Sequence, residues 1–106
     1  MPQTKDPNKF LPLTEATSYI LLALNEPLHG YGVMQMIDKL SEKTVSVGPG
    51  TLYGAFTTLE RDGLIAKIGE EERRKIFKLT PFGRQVLKAQ IRRLEILVRQ
   101  ARSIGE

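Results

Sequence analysis

The chain has 106 residues, of which 41% are hydrophobic, and this is the size of a single domain with a modest buried core. Sixteen Lys and Arg against twelve Asp and Glu give a net charge of +4, a mild excess that fits a polyanionic partner and also fits many other soluble proteins. The absence of cysteine excludes disulfides and thiolate metal sites, and no apolar run is long enough to cross a membrane, so we expect a cytoplasmic protein without a metal or cofactor.

The first twelve residues predict a flexible N-terminal arm. They contain three prolines, and only Phe10 and Leu11 are suited to packing on a core. A disordered terminus accounts for this composition. The alternative is an extension whose Lys5 and Lys9 touch nucleic-acid phosphates.

Two short helices are predicted between residues 14 and 43. Thr14 is a typical N-cap, and apolar residues follow it at helical spacing: Ala16, Ile20, Ala23 and Leu24. The second helix opens at His29 and carries an apolar stripe: Val33, Ile37 and Leu40. No nucleophile or acid partner accompanies His29, so we interpret it as a capping or core residue. Residues 44–47 then alternate in polarity and predict a short strand.

A third helix is predicted between Pro49, which suits a first turn, and Gly63, which suits a helix end. Its apolar face contains Leu52, Ala55, Phe56 and Leu59. The opposite face carries small, hydroxyl and basic groups instead of the usual Glu, Lys and Gln: Gly50, Tyr53, Gly54, Thr57, Thr58 and Arg61. Because glycine inside a helix costs about 1 kcal/mol relative to alanine, Gly54 indicates close approach by another molecule. The two successive helices predict a helix-turn-helix whose second helix contacts DNA.

After Gly63 the apolar period changes from that of a helix to that of a strand. Residues 64–69 and 75–80 predict a hairpin with Phe77 and Leu79 on one face. The charged tip, residues 70–75, is compatible with a solvated loop. It is also compatible with a wing in which Arg73, Arg74 and Lys75 pair with phosphates.

A long terminal helix is predicted from Thr80 and Pro81 to about Ser103. Its apolar residues recur at spacings of 4, 3, 4 and 3, with two more in an adjoining stripe: Leu87, Ile91, Leu94, Val98 and Ala101, then Leu97 and Ile104. At 1.5 Å per residue this helix spans about 35 Å and outruns a domain of this size. We therefore expect a homodimer formed through these seven residues.

Several short motifs, in this order and spacing, resemble PadR-family transcriptional regulators: Leu28-His29-Gly30-Tyr31, Gly48-Pro49-Gly50-Thr51-Leu52-Tyr53, Leu59-Glu60, Gly63-Leu64-Ile65, Arg74-Lys75, Lys78-Leu79-Thr80 and Gly83-Arg84. The resemblance covers about residues 13–104. It implies a mainly α fold with a small β-hairpin, namely a winged helix-turn-helix followed by a long C-terminal dimerisation helix, as in the compact branch of the family. It also implies a prokaryotic repressor, associated with the nucleoid when bound to an inverted repeat in DNA.

Under this resemblance residues 1–12 are the arm, 13–80 the DNA-binding domain and 81–106 the dimerisation helix. The residues expected to meet DNA are Gly48, Gly50, Thr51, Tyr53, Gly54, Thr57, Thr58, Arg61, Arg73, Arg74 and Lys75. Some members bind flat aromatic or cationic drugs, or phenolic acids, between the terminal helices and the first helix. The residues here that could line a site for a small apolar or aromatic effector would serve equally well as interface core: Tyr19, Ile91, Leu94 and Val98.

Two other classes of function are alternatives to DNA binding. A winged helix can act as a protein–protein interaction module without reading DNA, and in that case binding would depend weakly on salt. No convergent acid, base and nucleophile is present, so we do not expect an enzyme.

Overall fold

The structure, a computed structural model, describes residues 5–105. Along the chain lie a 3-10 helix (Pro7–Phe10), α1 (Glu15–Ala23), α2 (Gly30–Leu40), α3 (Pro49–Arg61), β1 (Ile65–Glu71), β2 (Arg74–Leu79) and α4 (Pro81–Arg102). This order confirms the predicted mainly helical fold with one antiparallel hairpin, which we call the wing (β1 and β2). Across these described residues no helix is long and apolar enough to cross a membrane.

Three of the four α-helices begin at a side chain that accepts a hydrogen bond from a first-turn N–H. The acceptors are Thr14 Oγ1 for α1, His29 Nδ1 for α2 and Thr80 Oγ1 for α4, at 3.0, 3.2 and 2.9 Å. The capping roles predicted for Thr14 and His29 are therefore confirmed. By contrast, α3 begins at Gly48 without a side-chain cap and depends on Pro49 in its first turn.

The core receives side chains from every helix except the 3-10 helix, and from the wing. Its largest fully buried residues are Ile20, Leu21, Leu24, Val33, Ile37, Leu52, Leu64, Ile65 and Val86. Burial of Leu21, which lies off the main stripe of α1, shows that α1 is packed from two sides, as its sequence indicates. The core thus holds α3 by its Leu52, Phe56 and Leu59 face and leaves the opposite face free.

A third segment of backbone pairs with the wing. Leu28 and Phe77 exchange two backbone hydrogen bonds, with nitrogen-to-oxygen distances of 3.1 and 3.0 Å. The strand predicted at residues 44–47 is wrong, because no strand forms there. Instead the Ser41 hydroxyl donates to the Val45 carbonyl and accepts from the Val45 N–H, both at 3.1 Å, and so occupies the backbone groups that a strand would use.

The N-terminal segment differs from the expected flexible arm over the residues that the structure describes there, 5–12. The Phe10 ring packs edge-on against Phe82 of α4, with ring centroids 5.6 Å apart. Lys5 Nζ lies 5.2 Å from the centroid of the Phe82 ring. It also donates a hydrogen bond to the Asp62 carbonyl at 3.2 Å. Lys5 is therefore engaged with the protein in this arrangement. Residues 1–4 of the expected arm lie outside the described residues.

Only the first part of α4 packs against the domain. Gly83, Val86, Leu87 and Gln90 are buried, whereas every described residue from 91 to 105 is exposed. Gly83 is needed at its position because a Cβ there would collide with the Leu64 carbonyl oxygen and lie 2.9 Å from Leu79 Cδ1. The predicted overhang of the terminal helix is confirmed.

Replacing Gly83 with alanine should lower the free energy of unfolding by about 3 kcal/mol, since a buried backbone carbonyl must move. The matched control is Gly54→Ala inside α3, where an added Cβ has no atom within 4 Å. That change should raise stability by about 1 kcal/mol through helix propensity. Urea unfolding of both variants measures the difference, and equal midpoints would contradict the close contact.

Candidate nucleic-acid interface

The outward face of α3 presents all of the residues predicted to meet DNA on this helix. Each is exposed: Gly48, Gly50, Thr51, Tyr53, Gly54, Thr57, Thr58 and Arg61. An added Cβ at Gly48, Gly50 or Gly54 would have no atom within 4 Å. Internal packing therefore does not require glycine at these positions, and a bare backbone that another molecule can approach remains the better explanation.

Thr57 and Tyr53 are partly engaged with the protein itself. The Thr57 hydroxyl donates to the Tyr53 carbonyl at 3.1 Å, so Thr57 can offer an acceptor lone pair and a methyl group to a ligand. The Tyr53 ring packs edge-on against Phe56, with centroids 5.9 Å apart. A Cβ on Gly30 would lie 2.5 Å from the Tyr53 hydroxyl oxygen, so this ring leans toward the start of α2.

A groove separates α3 from the wing. Its volume is about 410 Å³, and its lining includes Tyr53 and Thr57 from α3 together with Arg73, Arg74 and Lys75 from the wing. The fold thus brings together the two groups of residues that the sequence predicts as a single surface. Cations on one wall and hydroxyl groups on the other suit a phosphate backbone.

Glu60 also lines this groove, although it is not among the residues predicted to meet DNA. A glutamate near the end of an exposed helix carries no distinguishing local signal. Only the folding of the wing against α3 places it beside cations. Its carboxylate accepts hydrogen bonds and donates none, so it suits an amino group on a base and repels a phosphate.

The wing tip is tighter than the predicted six-residue loop. Glu72 and Arg73 form a two-residue turn with φ of 51° and 67°, while Glu71 stands opposite Arg74 in the strand register. Opposite charges that face each other across an antiparallel pair are favourable. The Glu71–Arg74 pair therefore favours extension of both strands as far as the turn. Both turn residues occupy the left-handed region, which side chains other than Gly and Asn adopt at a cost.

Some of the residues predicted for dimerisation and effector binding line two grooves along α4. Tyr19, Ile91 and Leu94 line a groove of about 350 Å³ between α1 and α4, whereas Val98 lines a neighbouring one with Ile91 and Leu94. The interface candidates outside these grooves are exposed: Leu97, Ala101 and Ile104. Leu87 also borders the first groove, but it is only 7% exposed and belongs to the core, because the start of α4 packs there.

The family model described as "Transcriptional regulator PadR-like family" matches residues 20–89, which is more than half of the chain. The chain belongs to the PadR-like family of transcriptional regulators. The resemblance noted in the sequence is confirmed, and so is the expectation that the protein is not an enzyme. DNA-binding regulation of transcription is supported by the same match.

Two individual proteins are similar to this PadR-like chain, and one of them is a transcriptional regulator. It is 35% identical over 81 residues to the transcriptional regulator Rv3488 of Mycobacterium tuberculosis, covering 74% of this chain and 73% of that protein. It is 40% identical over 74 residues to an uncharacterized 37.1 kDa protein in transposon TN4556 of Streptomyces fradiae, covering 69% of this chain. The match spans only 21% of that relative's length.

A solved structure of the same family shares the fold. The crystal structure of a PadR-family transcriptional regulator from Eggerthella lenta superposes with a TM-score of 0.68 at 25% identity, covering 86% of this chain and 78% of that chain. The winged helix with a C-terminal helix, which the resemblance implies, is therefore confirmed as the fold of this PadR-like chain.

The positive φ angles of Glu72 and Arg73 predict backbone strain in the turn at the wing tip, which substitutions can test. Changing Glu72→Asn together with Arg73→Gly supplies residues that favour positive φ, so the free energy of unfolding should rise by about 1 kcal/mol. Arg73→Ala is the control, because it removes the charge and keeps a side chain in the left-handed region. Urea denaturation compares the three proteins. No gain in the double variant would show that the turn is not strained.

Proposed function

We propose that this PadR-like regulator is a repressor that binds an inverted-repeat operator in duplex DNA as a homodimer. The observation that carries the proposal is the exposed face of α3 beside a groove whose opposite wall holds Arg73, Arg74 and Lys75. A helix with a bare outer backbone can enter a major groove, while cations next to it contact the strand that borders that groove.

Within this proposal α3 supplies the base contacts. Gly50 and Gly54 let its backbone approach the bases, and Thr57 faces a thymine methyl or a base donor. Arg61 makes a surface contact of 3.5 Å with its neighbour Asp62, and its side chain is 70% exposed. Such a bridge is weak, so the Arg61 guanidinium is available to a guanine or to the backbone at the edge of the site.

The wing supplies phosphate contacts that do not depend on sequence. Arg73, Arg74 and Lys75 are exposed, and Lys75 and Arg74 face glutamates across the hairpin. These glutamates reduce the net charge of the wing, so each phosphate contact competes with a cross-strand neighbour. Because each cation that contacts a phosphate releases a condensed counterion, binding should still decline with salt, by about 1 in the salt slope for each contact.

The distal half of α4 supplies the dimer contact, with residues 13–80 as the DNA-binding domain and 81–106 as the dimerisation helix. Leu94, Leu97 and Val98 are 43%, 63% and 49% exposed, and they continue the buried stripe of the same helix. An apolar stripe of this length is covered in most soluble proteins. A two-fold dimer places its α3 helices about 34 Å apart, which fits half-sites about 10 base pairs apart.

The groove between α1 and α4 supplies an effector site in this proposal. Its volume of about 350 Å³ lies in the range of small-molecule pockets, and Tyr19, Ile91 and Leu94 give it an apolar lining. A small apolar or aromatic effector bound there touches the dimerisation helix. Binding then changes the spacing of the two α3 helices and releases the operator.

Selection of bound sequences from a random DNA pool decides between this proposal and a protein–protein interaction module. Recovery of an inverted repeat, bound with steep salt dependence, supports the repressor. A pool that stays random while the protein remains folded contradicts it. The winged helix would then be assigned to contacts with another protein.

Thr57→Ala should separate base contacts from backbone contacts. We expect a loss of about 1 to 3 kcal/mol on the selected operator and a smaller loss on a scrambled duplex, because a base contact is sequence-specific. Lys75→Ala is the control, with equal losses on both duplexes and a salt slope reduced by about 1 per contact. Titrations at one salt concentration give the losses. Equal losses for Thr57→Ala would assign Thr57 to positioning alone.

Val98→Asp should disrupt the dimer, because it places a charge in the exposed apolar stripe of α4. Ile96→Asp is the matched control, since Ile96 is also exposed but lies two residues away, on the opposite side of the helix. Sedimentation should give twice 11.9 kDa for the wild type and for Ile96→Asp, and a monomer or aggregate for Val98→Asp. A wild type that sediments as a monomer at micromolar concentration would refute the dimer.

A further inference from the structure

Two side chains from distant parts of the sequence meet at the start of α2. Nη1 of Arg74, the first residue of β2, lies 3.4 Å from Nε2 of His29, the cap of α2. His29 is partly buried, and Arg74 is exposed and lines the groove between α3 and the wing. Because arginine can only donate, the position of the proton on the His29 ring decides whether these two nitrogens form a hydrogen bond.

The cap fixes the proton of the His29 ring. Nδ1 accepts the Gly32 N–H at 3.2 Å and must therefore carry a lone pair. In a neutral imidazole the single ring proton then resides on Nε2, so Nε2 is a donor. The opposite tautomer would leave the Gly32 N–H without its cap, and loss of an N-cap costs about 1 kcal/mol.

With this tautomer the two facing nitrogens are both donors. The guanidinium of Arg74 contains no acceptor atom, and a protonated Nε2 of His29 cannot accept a hydrogen bond. Neither nitrogen can therefore satisfy the hydrogen of the other. Within residues 5–105 no carboxylate lies within the 4.0 Å ion-pair distance of Arg74, although Glu71 stands opposite it in the strand register. Two donors that converge without an acceptor are suited to a shared anionic oxygen.

We propose that His29 and Arg74 form a subsite for one phosphate of the DNA backbone, in which both donate to the same non-bridging oxygen. The subsite rests on the proposed DNA-binding function and adds to it a neutral donor from α2. It lies beside the groove where a strand must pass if α3 occupies the major groove and the wing contacts the flanking backbone. The Tyr53 hydroxyl, against Gly30, is close to the same end of α2.

The two donors make different contributions to binding. Arg74 is a cation and replaces a counterion condensed on the phosphate, so its contact increases the salt dependence. In the tautomer that the cap requires, the His29 ring donates from Nε2 without carrying a charge, so its contact adds affinity and leaves the salt dependence unchanged. This difference separates the subsite from a purely electrostatic patch.

The first test is the tautomer, which nitrogen-15 NMR reports directly. His29 is the single histidine of the sequence, so its imidazole signals need no assignment. At about pH 8, where an ordinary imidazole is neutral, we expect the Nε2–H form. Addition of a short duplex of random sequence should shift the Nε2 signal. An Nδ1–H form, or an Nε2 signal that a bound duplex leaves unmoved, would overturn the subsite.

The second test uses a variant that preserves the cap. Asparagine is among the best N-cap residues, so His29→Asn keeps an acceptor for Gly32 and removes the ring nitrogen that reaches Arg74. We expect about tenfold weaker binding to the selected operator and to the random duplex alike, with an unchanged salt slope. Arg74→Gln should also weaken binding and should reduce the slope by about 1 per subunit.

The double variant completes a double-mutant cycle with the two single variants. If both side chains hold one oxygen, His29→Asn and Arg74→Gln together should lose less than the product of their separate losses. Affinity of His29→Asn equal to that of a DNA-binding wild type would overturn the subsite and leave the proposed function intact. A wild type that binds neither duplex would overturn both.

Discussion

The contact between the backbone of Leu64 and the α-carbon of Gly83 is the constraint on which the arrangement of this PadR-like protein depends. Thr80 surrounds it with three hydrogen bonds: its hydroxyl donates to the Gly63 carbonyl and accepts from the Gly83 N–H, and its N–H donates to the Leu64 carbonyl at 3.1 Å. The end of α3, the start of β1 and the start of α4 therefore share one junction. In the proposed dimer, this junction would connect the dimerisation helix to α3.

Local signals in the sequence predicted the elements that meet at this junction. Thr80 followed by Pro81 gave the start of α4, and Pro49 with Gly63 bracketed α3, because caps and breakers act within a few residues. The outward face of α3 followed from helical periodicity alone. The order of the short motifs indicated the PadR family, and the family-model match to residues 20–89 confirmed it.

Contacts between distant residues were not predictable in the same way. Residues 5–12 have the composition of a flexible arm, yet Phe10 packs against the Phe82 ring in the folded chain. Residues 44–47 alternate like a strand, but the Ser41 hydroxyl takes the hydrogen bonds of Val45. Likewise the positions of Glu60 beside the wing, and of His29 beside Arg74, 45 residues apart, exist only after the wing has folded against α2 and α3.

The pairing of Leu28 with Phe77 has a mechanical consequence. Two backbone hydrogen bonds fasten the middle of β2 to the segment before α2. The Phe77 ring packs against Phe56 of α3, with centroids 4.7 Å apart and the ring planes tilted by 39°. The wing is thus stapled close to Arg74 and cannot swing as a free hairpin. In the proposed complex, a duplex that enters the groove would meet this fixed wing, and the cost of fitting would fall on bending and twisting of the DNA. Sequences that deform easily would then gain affinity at base pairs that the protein does not contact.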